Sequence, residues 1–71
     1  MPMEAVEQRA ALFQLVKRLP EDQRRVVVLR FVEERSIREI AQELRRSEGA
    51  VKQLQFRALQ RLRESAEAAR G

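Results

Sequence analysis

Apolar residues recur at three- and four-residue steps along most of the chain, which predicts helices throughout. The first helix is expected over residues 4–18, before Pro20 interrupts the pattern. Its apolar stripe consists of Val6, Ala10, Phe13 and either Val16 or the stem of Lys17, and Leu12, Leu15 and Leu19 broaden it. This stripe predicts an amphipathic helix that packs on the rest of the chain.

A second helix is predicted to begin at Pro20 and to reach about Val32 or Glu33. Proline fits a first helical turn, and the acidic Glu21 and Asp22 suit the positive end of the helix dipole. The expected inward residues are Val26, Val27, Leu29, Phe31 and the stem of Arg30. The run VVVL is also compatible with a buried strand, but no turn signal and no second strand accompany it, so a helix is favoured.

Two capped helices follow in close succession, and together they predict a helix-turn-helix over residues 36–64. Ser36 and Glu39 have the spacing of a capping box, and Ser47 is a second N-cap, followed by Glu48 at the positive end of the helix. The buried face of the first of these helices is Ile37, Ile40, Ala41 and Leu44, and that of the second is Val51, Leu54, Ala58 and Leu62. The fold class is therefore all-α, with four helices in one domain spanning residues 1–71. The second helix of such a motif lies in the DNA major groove.

The face of the last helix opposite its apolar stripe is polar and basic. On an ideal helical wheel it carries Gly49, Lys52, Gln53, Phe56, Arg57 and Gln60. Gln can bond an adenine edge, Arg and Lys a guanine edge or a phosphate, and an exposed Phe can contact a thymine methyl. The alternative is a plain solvent-exposed face with Phe56 turned into the core.

Charge supports a polyanionic partner. Arg and Lys number 15 against 11 Asp and Glu, which gives a net charge of +4 and a pI near 11.0. Thirteen of the 15 basic residues are Arg, whose guanidinium suits bidentate contacts to phosphate.

The sequence contains few residue types that can perform catalysis. This predicts that the chain is not an enzyme and uses no cofactor, metal or small-molecule substrate. The sequence lacks His, Cys, Tyr, Thr, Asn and Trp, and its only hydroxyls are three Ser, so no Ser-His or Cys-His nucleophile pair exists. A carboxylate-only site at Glu39/Glu43 or Glu33/Glu34 is the alternative to solvated helix faces with intrahelical ion pairs, and the ion pairs are favoured. No apolar stretch is long enough for a membrane span or a signal peptide, so a cytoplasmic location is expected.

Four short motifs occur in an ordered series: LP at 19–20, LRF at 29–31, SIREIAQEL at 36–44 and SEGAVK at 47–52. In order and spacing the series resembles region 4 of bacterial sigma factors, specifically the extracytoplasmic-function (ECF) group, and covers about residues 19–64. The resemblance implies a DNA-binding domain for transcription initiation that binds double-stranded promoter DNA at the −35 element and docks on the β-flap of RNA polymerase core. Two residues depart from the usual pattern: Arg45 stands where such proteins often have a turn glycine, and Phe56 where many have His.

The resemblance also implies roles for individual residues. The base-contacting set is Lys52, Gln53, Phe56 and Arg57, the same face that the helical wheel indicates. Phosphates are expected at Arg38, Arg46, Arg61 and the N–H groups after Ser47. Polymerase docking is expected in an apolar groove between the first two helices and the last, at Phe13, Val27, Phe31 and Leu59, although each of these is also compatible with a place in the core. An anti-sigma protein that covers the same surfaces is a further expected partner.

Two other function classes remain compatible with the sequence. A helix-turn-helix domain of another regulator, such as a LuxR-like one, would tend to dimerise through its last helix, whereas a sigma domain works as a monomer. A purely structural helical bundle would not bind DNA. The closely spaced Met1 and Met3 are compatible with a start added to a piece of a longer chain.

Overall fold

The computed structural model describes residues 3–70, with side chains described for residues 9–68, and it confirms the all-α prediction. Its helices are α1 (Met3–Lys17), α2 (Glu21–Val27), α3 (Ile37–Leu44) and α4 (Glu48–Arg70). Residues 3–70 contain no strand, so the VVVL run is helical. Met1, which was considered as part of an added start, lies outside the described part, as do Pro2, Gly71 and the side chain of Val6.

The corner between α1 and α2 is set by Pro20. The last turn of α1 tightens, with the amides of Arg18 and Leu19 donating to the carbonyls of Leu15 and Val16, both at 3.1 Å. Pro20 then acts as the N-cap, because its carbonyl accepts from the amide of Arg24 at 2.9 Å. The second helix therefore begins one residue later than the sequence analysis predicts.

A π-helical turn, Val28–Val32, continues α2, and the sequence analysis did not predict it. The amide of Glu33 donates to the carbonyl of Val28 at 3.0 Å, a five-residue step, and Glu34 follows with a positive φ of 56°. The extra residue in the turn rotates the side chains that follow it. Phe31 lies within this turn, lines an open groove with Val27 and is 52% exposed, so the prediction that it points inward is wrong.

Among the side chains described at residues 9–68, the buried apolar residues form two small clusters, and α4 contributes to both. The first contains Val26, Leu29, Ile40, Ala41 and Val51, with Ile37, Leu44 and Leu54 packed against it. The second contains Leu19, Val27 and Ala58, with Val16 and Leu62 beside it. The four predicted stripe residues of α4 all take part, so this stripe fixes the rotation of α4 about its own axis.

The apolar stripe of α1 is only partly used in packing. Its C-terminal end, at Val16 and Leu19, belongs to the second cluster. Leu12 and Phe13, by contrast, are 52% and 58% exposed. The expectation that the whole stripe packs is therefore wrong for these two residues, which remain available for a contact outside the chain.

Candidate nucleic-acid interface

The start of α3 is fixed by the predicted capping box. The Ser36 amide donates to Glu39 Oε1 at 3.0 Å, and the Glu39 amide donates to Ser36 Oγ at 3.1 Å. The backbone and side-chain hydrogen bonds with Ser36 lower the pKa of Glu39 from its ordinary value, and the nearby Arg35 guanidinium acts in the same direction. The cap therefore favours the carboxylate form of Glu39 as the pH falls into the acidic range.

Three residues, 45–47, connect α3 to α4 in a tight turn. Arg45 adopts the left-handed conformation, with φ 56° and ψ 46°, despite having a side chain where glycine is easier. The amides of Arg45 and Arg46 bond back to the carbonyls of Gln42 and Ala41, at 3.4 and 3.0 Å. Ser47 Oγ accepts from the amide of Ala50 at 3.0 Å, as an N-cap does. The predicted helix-turn-helix is therefore present.

The four predicted base-contacting residues lie together on the outward face of α4. Lys52, Gln53, Phe56 and Arg57 are all exposed, and Phe56 is 66% exposed. They span only about 8 Å along the helix axis. Val51 and Ala58, fully buried, anchor the other side of the same turns. The alternative that Phe56 belongs to the core is therefore wrong.

Three of the four predicted phosphate-binding residues line one shallow depression beside the turn. Arg38, Arg46 and Ser47 lie around it with Ala41, Gln42 and Glu48. Arg46 also forms an ion pair across the fold, since its Nη2 is 2.6 Å from Asp22 Oδ2. Arg61 is separate from this group, about 21 Å beyond Ser47 along the axis of α4.

An apolar groove lies between α1 and the α2–π segment, with a volume of about 250 Å³. Phe13, Val27 and Phe31 line it as predicted, although Val27 is also core and only 6% exposed. The other lining residues are Leu12, Val16, Val28, Val32 and the basic Arg9, Lys17 and Arg24. Among the side chains described at residues 9–68, those that line the groove include no acidic one.

Leu59 does not lie in this groove, contrary to the grouping in the sequence analysis. It is 42% exposed and lines a different depression, on α4, with Phe56, Gln60 and Arg63. Leu59 therefore borders the predicted base-contacting face.

The acidic pairs considered as a catalytic or metal site, Glu39/Glu43 and Glu33/Glu34, lie in a helix cap, an ion pair and an interhelical connection. Glu39 belongs to the capping box, and Glu43 pairs with Arg35 at 2.8 Å. Glu33 and Glu34 follow the π turn in the connection to α3, and Arg35, the partner of Glu43, also precedes α3. The expected intrahelical ion pairs are therefore wrong for both acidic pairs. Among the side chains that the structure describes, no group of three metal-ligating residues occurs. None of the helices within residues 3–70 has the length and hydropathy of a membrane span.

Sequence reasoning missed two features of these surfaces. The Asp22–Arg46 pair joins residues 24 positions apart, and the sequence signal at Asp22 was only its place at a helix N-terminus. The sequence marked Leu12 and Val32 only as apolar residues of predicted helices, so their place in the groove could not be predicted from it. Their exposure depends on how α1 lies against the π turn.

Comparison with known proteins agrees with the motif series. The family model described as Sigma-70, region 4 matches residues 15–64, which include α2, α3 and most of α4. The chain belongs to the sigma-70 region 4 family. One chain in a solved structure of the RsbN–BldN complex is similar to it, with 40% sequence identity and a TM-score of 0.79. The match covers 84% of the present chain and 44% of that chain, so the present chain spans less than half of the length of its structural relative. No curated protein sequence matches the chain.

Proposed function

We propose that this region 4 domain is the C-terminal part of an ECF-type sigma factor, which contacts the promoter −35 element and docks on the β-flap of RNA polymerase in the cytoplasm. Its role is to bind and position, without catalysis, during transcription initiation. The family supplies the general role of a sigma factor domain that binds DNA through a helix-turn-helix. The ECF type, the −35 element and the β-flap are the finer parts of the proposal.

The observation that carries the DNA contact is the outward face of α4. Four side chains are exposed there: Lys52, Gln53, Phe56 and Arg57. Their hydrogen-bond donors, the Gln53 acceptor and the apolar Phe56 ring can contact the base edges and thymine methyls of a DNA major groove. The start of α4 is capped by Ser47 and lies beside Arg38 and Arg46, so phosphate contacts there would fix the register of the helix. Arg61, further along α4, would contact phosphate where the helix leaves the groove.

The groove between α1 and the π turn supports a second contact, with polymerase. Leu12, Phe13, Phe31 and Val32 are each more than half exposed, a concentration of apolar surface that a small monomer rarely leaves unused. Basic residues at the rim, Arg9, Lys17 and Arg24, favour a partner with an apolar stripe and acidic flanks. An anti-sigma protein would act by covering these surfaces. The similar chain was itself solved in a complex, named RsbN–BldN.

Salt-dependent DNA binding tests the proposal. If about four to five of the basic residues contact DNA, the logarithm of the binding constant should fall against the logarithm of salt concentration with a slope near −4. The isolated domain contacts few bases, so a dissociation constant of about 10⁻⁴ to 10⁻⁶ M is expected at physiological salt. The measurement is a fluorescence anisotropy titration of a short duplex at several salt concentrations.

A flat salt response would contradict DNA binding. Gel filtration of the free domain and of the complex separates the sigma proposal from a LuxR-like regulator, because the former is expected to remain monomeric and the latter to dimerise.

A further inference from the structure

Asp22 and Arg46 form an ion pair that links the start of α2 to the turn of the helix-turn-helix. Arg46 Nη2 lies 2.6 Å from Asp22 Oδ2, and the two side chains are 44% and 48% exposed. An ion pair this exposed contributes little to folding stability. The pair lies next to the start of the proposed DNA-contacting helix, so its position bears on DNA binding rather than on stability.

Both ends of this pair are held by their backbones. Asp22 lies in the first turn of α2, directly after the proline corner, and that turn also holds the buried Gln23. The Arg46 amide bonds to the Ala41 carbonyl at 3.0 Å, which fixes the backbone of the turn. The remaining freedom is therefore in the long Arg46 side chain, and the Asp22 carboxylate restricts it.

The guanidinium of Arg46 keeps donors for a second anion. Arginine has five N–H donors, and only Nη2 contacts Asp22. Arg46 shares a depression with Arg38 and Ser47, where the exposed start of α4 favours negative charge. A phosphate placed there would find Arg46 already ordered, without the loss of side-chain freedom that binding otherwise imposes.

We propose that Asp22 is a positioning residue for DNA binding, which orders Arg46 so that its free donors face a backbone phosphate. This inference rests on the proposed function. It also predicts the direction in which removal of the Asp22 carboxylate changes the affinity for DNA. Removing a carboxylate close to DNA should by charge alone strengthen binding, whereas the loss of a positioning group weakens it.

The test compares wild-type chain with Asp22→Asn, Asp22→Glu and a matched control, Glu21→Gln. Glu21 is the neighbouring acid in the same helical turn, and none of the ion pairs among the side chains described at residues 9–68 involves it. Asp22→Asn is expected to weaken binding to matched and scrambled duplexes alike by about threefold to fivefold. Asp22→Glu, which keeps the carboxylate, should remain within about twofold of wild type, and Glu21→Gln should bind as well as wild type or slightly more tightly.

A double-mutant cycle with Arg46→Ala shows whether Asp22 acts through Arg46. In the Arg46→Ala background, Asp22→Asn is expected to cause no further weakening. The salt slope should fall by about 1 with Arg46→Ala and stay unchanged with Asp22→Asn alone. Thermal melts of each variant provide the folded fraction used to correct the binding constants.

Two results would overturn the inference alone: Asp22→Asn binding as tightly as wild type, or an equal loss in the Arg46→Ala background. A wild-type chain without salt-dependent DNA binding would overturn the proposed function as well. The two failures are therefore distinguishable.

Discussion

Gln53 is an uncharged side chain on a basic, exposed helix face, so it separates base contact from phosphate contact. If it bonds a base edge, Gln53→Ala should cost about 1 to 3 kcal/mol on the best −35 duplex and almost nothing on a scrambled one. The salt slope should not change, because no charge is lost. Binding titrations on both duplexes at two salt concentrations measure this difference.

Arg61→Ala and Val51→Ala are the comparisons for Gln53→Ala. Arg61 is expected to contact phosphate, so its loss should weaken both duplexes alike and reduce the salt slope by about 1. Val51 is fully buried, so Val51→Ala should lower the free energy of unfolding by about 1 to 3 kcal/mol, seen in a thermal melt, before it alters sequence preference. Equal weakening of both duplexes by Gln53→Ala would contradict base contact by this face.

The exposure of a single side chain could be predicted from the sequence where its helix is regular. It could not be predicted where the packing of neighbouring helices determines the exposure. The wheel of α4 placed Phe56 outward because Val51 and Ala58 define the opposite side of an uninterrupted helix. Leu59 was grouped with the wrong surface, because which groove an exposed apolar residue borders depends on packing between helices. The Asp22–Arg46 pair depends on the same packing.

At the scale of one element, the capping box of α3 predicts a pH dependence of stability. The pKa of Glu39 is lowered in the folded chain, so its carboxylate stabilises the fold fully above the ordinary Glu pKa of 4.5. This contribution is lost as the pH falls through the lowered folded-state value. Glu39→Gln keeps a capping acceptor for the Ser36 amide but does not titrate.

Urea unfolding of wild type and Glu39→Gln between pH 7 and pH 2 measures this contribution. The wild type should lose more stability on acidification than Glu39→Gln, while the remaining carboxylates act equally in both. Ser36→Ala, which removes the cap acceptor, should cost about 1 kcal/mol at neutral pH. Identical acid profiles for wild type and Glu39→Gln would contradict the role of this cap.

Helix ends were predictable from local sequence, whereas the π turn was not. Capping residues such as Ser36 and Ser47 signal a helix start through groups three residues away. The residues of the π turn are all compatible with an ordinary α-helix. What distinguishes the turn is its exit, where Glu34 takes a left-handed conformation and Arg30 Nη1 donates to the Arg35 carbonyl at 3.2 Å. The backbone conformation after the π turn cannot be predicted from the spacing of apolar and polar side chains.

At the scale of the whole molecule, the proposed DNA-contacting face and the proposed docking groove share no described residue. The groove is lined by residues of α1, α2 and the π turn, and the proposed DNA contacts lie on α3, α4 and the turn between them. The two core clusters connect these surfaces through Val26 and Val27, adjacent residues of α2. A substitution at the exposed rim of one surface should therefore leave the other unchanged.

The double variant Phe13→Ala/Phe31→Ala is expected to reduce binding to RNA polymerase core at least about tenfold, because it removes two aromatic side chains from the groove. Both side chains are more than half exposed, so little folding stability should be lost and the DNA titration should match that of wild type. Leu59→Ala is the matched control, since it removes an exposed apolar side chain outside the groove. Biolayer interferometry with immobilised domain measures the interaction with polymerase core. An equal loss with Leu59→Ala would place the docking surface on α4 as well, and unchanged binding of the double variant would exclude the groove as the docking site.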